Sequence, residues 1–216
     1  MRILIGSVTP WELEEAKNYG VLGLATNATV FLGLGKNWQG VVTDALKALP
    51  YGEFHMQAAD DYDVEAAKKS MLEFKELIGD RMVVKLCITQ EMLSLIPWCH
   101  EHGIKVNMTC ITTLAQAIVA MQAGADYVSI YIGRAERAGL DAFKTIENMN
   151  AVIKNNGYDC KIVAASIKDP DHFARAAVAG AHVAAVPWEV LKKCIQHDVT
   201  DRGILKFQEE WNSLPK

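Results

Sequence analysis

Eight short apolar runs, each followed by a helix-like run, predict an α/β chain whose parallel strands close into a (β/α)8 (TIM) barrel. Three observations carry this reading. The alternation runs through all 216 residues with no antiparallel hairpin signal. That length is close to the lower limit for such a barrel. Gly-Ala-Asp at 124–126 and Gly-Ala-His at 180–182 each join a helix end to a strand start, which suits an αβ turn. The alternative architecture is an open doubly wound sheet. No GxGxxG follows the first strand, so nothing marks a dinucleotide site. With no linker or low-complexity segment, residues 1–216 read as one domain.

Each element has a local reason. Residues 2–6 form a first strand, an apolar run too short for a signal peptide. Thr9 as N-cap and Pro10 at the first helical position open a helix. Residues 21–25 are a second strand and 38–49 a helix; 53–58 are the third strand. Helix 61–78 carries Val64, Ala67, Met71, Phe74 and Leu77 at helical spacing. The fourth strand lies within 81–89, and its helix, 90–102, ends at Gly103. Strands at 104–108, 126–131, 161–165 and 182–186 alternate with helices at 114–123, 140–155, 170–179 and 188–196. An extra amphipathic C-terminal helix occupies the last segment, 200–216.

Composition excludes several roles. Half of the residues are apolar, 22% are charged, and the net charge is -4. Nothing here suggests a nucleic acid or an anionic membrane as partner. No run approaches the ~18 apolar residues of a membrane span. Five cysteines (Cys87, Cys99, Cys110, Cys160, Cys194), odd in number and without CxxC, read as free thiols in a reducing cytoplasm.

The chemistry points to Lys85, an amine within the apolar run Val83-Val84-Lys85-Leu86. Desolvating its ammonium would cost several kcal/mol unless it is paired, neutral or facing a polar cavity. Its bland reading is a strand-end lysine that reaches solvent; its sharp reading is an amine that attacks a carbonyl. Barrel active sites lie at the C-terminal strand ends. There this chain has Asn107 and Thr109, Ser129 and Tyr131 with Arg134, and Ser166 with Lys168. By alternation Val83, Lys85 and Cys87 share a face, as do Asn107 and Thr109, Ser129 and Tyr131, and Ala164 and Ser166. Singly each polar residue has a structural role; four consecutive strands ending this way favour a site. The set suits iminium catalysis, with Lys85 attacking a ketone and water held by Thr109 and Tyr131 moving protons. Arg134, Ser166 and Lys168 suit a substrate phosphate.

These segments resemble the transaldolase-like family, including its fructose-6-phosphate aldolase branch. Gly124-Ala125-Asp126-Tyr127-Val128, the segment 164–168 and Lys206-Phe207-Gln208-Glu209-Glu210-Trp211 carry the likeness with Val83-Val84-Lys85. The resemblance implies a Schiff-base lysine at Lys85, a phosphate arginine at Arg134, and Asn27 among the substrate ligands. It also implies a last helix packed on a neighbouring subunit, in pentamers or decamers. No metal or organic cofactor is implied, because the lysine supplies the electron sink. Tyr131 is the aldolase-type residue, whereas Asn107 and Ser129 resemble transaldolase choices.

Three positions depart from the family pattern. Gly6 stands where the family has an aspartate. Ala25-Thr26-Asn27-Ala28-Thr29 replaces Thr-Thr-Asn-Pro-Ser. Met56 falls on the family's Gln or Glu, and a one-residue change of register would restore Gln57. Asp60 is the candidate for replacing the lost carboxylate. His100 and His102 read as helix-end residues rather than metal ligands, His182 as structural, and Trp188 and Trp211 as packing residues. Three functions follow: a class I aldolase acting on a ketose or sugar phosphate, a transaldolase passing a dihydroxyacetone unit to an aldehyde, or a sugar-phosphate binder without turnover.

Overall fold

The structure, a computed structural model, describes residues 1–32 and 37–215; Lys216, the end of the expected C-terminal segment, lies outside them. The strands are β1 (Arg2–Ile5), β2 (Gly23–Ala25), β3 (Glu53–Gln57), β4 (Met82–Cys87), β5 (Lys105–Ile111), β6 (Tyr127–Tyr131), β7 (Lys161–Ala165) and β8 (Val183–Val186). They pair in parallel and in sequence order, and β1 closes onto β8, giving a (β/α)8 barrel. The helices are α1 (Pro10–Ala16), α2 (Ala28–Leu32), α3 (Trp38–Ala48), α4 (Val64–Ile78), α5 (Gln90–Ser94), α6 (Ile96–Glu101), α7 (Leu114–Gln122), α8 (Ile132–Arg137), α9 (Ala142–Asn156), α10 (Pro170–Val178), α11 (Trp188–Lys193) and α12 (Asp198–Asn212).

Differences from the expected elements have local causes. Thr9 occupies the N-cap position of α1, but its hydroxyl caps nothing. Its own N–H donates instead to the Ser7 hydroxyl at 3.1 Å. Helix α4 starts at Val64 because the Asp63 carboxylate caps the N–H groups of Glu65 and Ala66. The expected helix over 90–102 is broken into α5 and α6, with Pro97 in the first turn of α6. The short helix α8 lies in a stretch read as a loop, and α2 in one to which no element was assigned.

The interior has two layers. Between strands and helices lies the main core, with Leu24, Phe54, Met56, Val84, Leu86, Ile130 and Ala164. Inside the barrel lies a smaller cluster of Leu4, Ala25, Val83, Tyr127, Val163 and Val183. Polar groups fill the rest of the interior. At the N-terminal end Glu53 accepts from the Tyr127 phenol at 2.8 and 2.9 Å and from Lys105 at 2.9 Å.

This layering decides one open alternative and corrects one expectation. Met56 is fully buried in the outer core, and Gln57 is the neighbour in register with Lys85. The strand therefore presents an amide, not a thioether, to the barrel mouth. Ala164 also lies in the outer core, so it does not share a face with Ser166. Ser166 has φ 58°, and this left-handed turn breaks the strand alternation.

Strand β5 runs past its expected end through an irregularity. Its register to β6 shifts between Met108 and Ile111, and Cys110 sits there with φ 60°. Bulges of this kind re-aim side chains beside active sites.

Candidate active site

Lys85 lies at the centre of the barrel mouth. It is 7% exposed, and its Nζ donates to the Thr26 backbone carbonyl at 3.0 Å. Burial pulls the amine down to about 8, although Cys110, Cys87 and Asp61 oppose the fall. A substantial neutral fraction therefore exists near neutral pH, as a nucleophilic amine requires.

A cavity of about 630 Å³ opens above the amine. Tyr131 lines it from the end of β6, and burial pushes its phenol up to about 12, so it holds its proton at neutral pH. The Arg134 guanidinium covers the Tyr131 ring at 4.6 Å from its centre. Thr109 is in register with Cys87 on the neighbouring strand. Its hydroxyl is fully buried and, among the described residues, has no aligned hydrogen-bond partner. Thr109 does not line the cavity; it stands behind the Tyr131 phenol, which does.

Asn107 and Ser129 lie deeper and are tied to each other. The Ser129 hydroxyl donates to Asn107 Oδ1 at 2.7 Å, and Asn107 Nδ2 lies 3.0 Å from His55 Nδ1. Burial pushes the His55 imidazole below its ordinary value, so a neutral ring accepts the amide hydrogen. Neither residue is among those lining the cavity, whereas Asn27, Arg134, Ser166 and Lys168 are. Asn27 also ends the approach to α2, where its Oδ1 accepts from Val30 N–H at 3.2 Å.

One rim of the cavity is cationic. Arg134 and Arg137 lie one turn apart on α8, and Lys168 follows β7. Gly133 permits this crowding: its N–H donates to the Ser166 carbonyl at 3.2 Å, and a Cβ there would stand 2.8 Å from that oxygen. The lining after β1 carries Gly6 and a Ser7–Glu12 hydrogen bond between side chains.

Asp60 is a turn residue; its carboxylate accepts from the N–H groups of Tyr62 and Asp63. The inward carboxylate after β3 is Asp61, which accepts from Cys87 N–H at 2.7 Å and from the Gln57 amide at 3.1 Å. His102 accepts no metal set: its ring lies 2.8 Å from the Trp98 carbonyl at a helix end, and His100 pairs with Asp126. Among the described residues no group of three or more His, Cys, Asp or Glu could hold a metal. His182 takes a β7 backbone N–H, and Trp188 packs edge-on against Tyr19.

Sequence reasoning missed Thr26, Arg137, Glu12 and Cys110 as neighbours of the site, and of the aspartates after β3 it chose Asp60 where the structure turns Asp61 inward; Cys87 it did place on the Lys85 face. Arg137 had a signal, its i,i+3 spacing from Arg134. Thr26 had none, because it acts through its carbonyl.

The family model for Transaldolase/Fructose-6-phosphate aldolase matches residues 14–215. A "Probable transaldolase" of a Hydrogenobaculum strain is 35% identical over 216 residues, covering 100% of this chain and 98% of that protein. "Probable transaldolase 2" of Bacillus cereus is 33% identical over 222 residues, covering 100% of each chain. Among solved structures, an N-acetylmannosamine-6-phosphate 2-epimerase from Clostridium perfringens aligns with TM-score 0.63 at 15% identity, covering 96% of this chain and 92% of that one. That likeness shows the fold alone. With the barrel and its buried mouth lysine, the match along the chain establishes that this protein belongs to the transaldolase/fructose-6-phosphate aldolase family of enzymes.

Proposed function

We propose that the protein is a class I aldolase that makes or cleaves a C–C bond of a ketose or ketose phosphate through a Schiff base on Lys85. The carrying observation is the buried amine lowered to about 8 at the base of the cavity. The neutral amine attacks the ketone carbonyl and water leaves; the bond between the α and β carbons then breaks, its electron pair forming an enamine, while the β-hydroxyl gives its proton to water and becomes the aldehyde carbonyl. Tyr131, backed by Thr109, relays the proton through water, and the protonated phenol is suited to donate it. Arg134 and Lys168, with Ser166, bind the phosphate, while Asn27 serves substrate hydroxyls. Asn107, in register with Lys85, and Ser129, both expected as substrate ligands, instead support the amine from below the cavity, and no cofactor is required. A transaldolase reading, in which an aldehyde acceptor takes the three-carbon unit, draws support from the names of the relatives.

Borohydride trapping tests this. Incubation with dihydroxyacetone or fructose 6-phosphate, then reduction, is expected to place one adduct on Lys85 that Lys85→Ala removes. Folded protein that yields no adduct with either ketone would overturn the reading and favour a binder without turnover. Product analysis with and without an aldehyde acceptor separates aldolase from transaldolase. Free thiols at all five cysteines fit a cytoplasmic enzyme, and no described helix is long and apolar enough to cross a membrane.

A further inference from the structure

Cys87 and Cys110 stand beside Lys85 with their sulfurs 3.3 Å apart, both free and both half-buried. Their approach is built by the backbone. Cys87 ends β4 and is in register with Thr109, so Cys110 is one residue past its direct neighbour. In a regular strand consecutive side chains point to opposite faces, and Cys110 would turn away from the barrel. The irregularity between Met108 and Ile111, with Cys110 held at φ 60°, turns it back toward Cys87. A left-handed non-glycine residue is an unfavourable conformation, kept only where the surroundings hold it. The Cys87 end is also fixed: its N–H donates to the Asp61 carboxylate at 2.7 Å.

We infer that Cys87 and Cys110 form a reversible intramolecular disulfide behind the Tyr131–Arg134 wall of the Lys85 pocket, with a low-molecular-weight disulfide of the glutathione class as oxidant. A disulfide bond is about 2.05 Å long, so the sulfurs need to close by little more than about 1 Å. The hydrogen bond from Cys87, together with Tyr131 and Arg134, holds Cys110 below the ordinary thiol range, whereas its bond to Cys110 and burial push Cys87 up. Cys110 is therefore the attacking sulfur. Its thiolate attacks one sulfur of the oxidant and expels the other half as a thiolate. Cys87 then loses its proton to solvent, attacks the Cys110 sulfur of the mixed disulfide, and expels the second half. Two protein thiols become one disulfide, and the external disulfide becomes two thiols.

The bond would change the pocket, because the Cys110 sulfur lies against Tyr131 and 4.0 Å from Arg134 Nη1. Chemical cross-linking is independent of the aldolase reading and is read by mass. The full-length protein is treated with oxidised glutathione, alkylated without reduction, and digested. The expected result is a peptide joining Cys87 to Cys110 and 2 Da lighter than the two free-thiol peptides combined, lost on treatment with dithiothreitol. Borohydride trapping on Lys85 is measured on the same samples, and the adduct yield is expected to change with the bond and return with dithiothreitol. Cys110→Ser, which removes the attacking sulfur, is expected to make that yield insensitive to oxidised glutathione, whereas Cys87→Ser is expected to stop at a glutathione adduct on Cys110. Finding Cys87 and Cys110 only as free thiols or as separate glutathione adducts would overturn the inference, as would a cross-link between two chains. A Cys87–Cys110 bond that leaves trapping unchanged would overturn its effect on the pocket. Absence of trapping in reduced protein would count against the proposed aldol chemistry and leave the cross-link result standing.

Discussion

At Lys85 the barrel holds an amine where water cannot stabilise its ammonium form, and the consequence is a pH dependence. The proton leaves near pH 8 rather than near 10.5, so the reactive fraction grows through that range. Imine trapping is expected to rise roughly tenfold per pH unit below 8 and to level off above about 9. A rate that keeps climbing to pH 10 would mean that the amine titrates as an ordinary lysine. Gly6 offers a second test at this scale. A Cβ there would meet the Val186 carbonyl at 3.4 Å and Pro187 Cα at 3.5 Å, ordinary contacts, and the residue lines the cavity. Gly6→Asp is expected to fold unchanged and to raise cleavage of a polyhydroxylated ketose phosphate by about 10²-fold, the scale of one positioned proton-transfer group. Steady-state kinetics with fructose 6-phosphate checks it; an unchanged rate from folded protein would show that the site needs no carboxylate there.

Among the elements, the junction of β6, α8 and the turn after β7 sets where the cations stand. Gly133 makes it possible, since a Cβ would fall 2.8 Å from the Ser166 carbonyl and 3.0 Å from Lys168 Cγ. Gly133→Ala is expected to cost about 1–3 kcal/mol in urea unfolding, as overpacking does, and to raise KM for a phosphorylated ketose more than it lowers kcat. Equal stability and KM would show that the turn gives way without moving Arg134. The sequence carried this junction only in part. Lys85 stood out because an amine in an apolar run conflicts with its surroundings, and Tyr131, Arg134, Ser166 and Lys168 followed from strand-end position. The parity of β3 and β7 was not legible. A run such as Phe54-His55-Met56-Gln57 can place either face inward, and pairing to β4 settles which. The bulge at Cys110 was hidden too, because a left-handed backbone at a cysteine has no composition signal. Helix α8 was read as a loop because one short amphipathic turn lacks periodicity.

For the whole molecule the unresolved burden is α12. None of its residues is buried, yet Ile204, Phe207, Trp211 and the following Leu214 are 52%, 71%, 75% and 55% exposed. Their spacing of three, four and three places them on one helical stripe. Lys206 and Glu210 pair beside it. A stripe of this size, with Val199 and Leu205 also exposed on the same helix, calls for a covering surface, and a second copy of the chain is the covering proposed here. Symmetric assembly would then bury Phe207 and Trp211 as aromatic anchors, each worth about 2 kcal/mol or more if central. Phe207→Asp and Trp211→Asp are expected to shift the chain to smaller species in analytical ultracentrifugation while far-UV dichroism stays unchanged. No residue of α12 lines the Lys85 cavity, so imine trapping is expected to persist in the dissociated variants. A wild-type chain that sediments as a monomer at micromolar concentration would remove the assembly and leave α12 with no covering surface of its own kind.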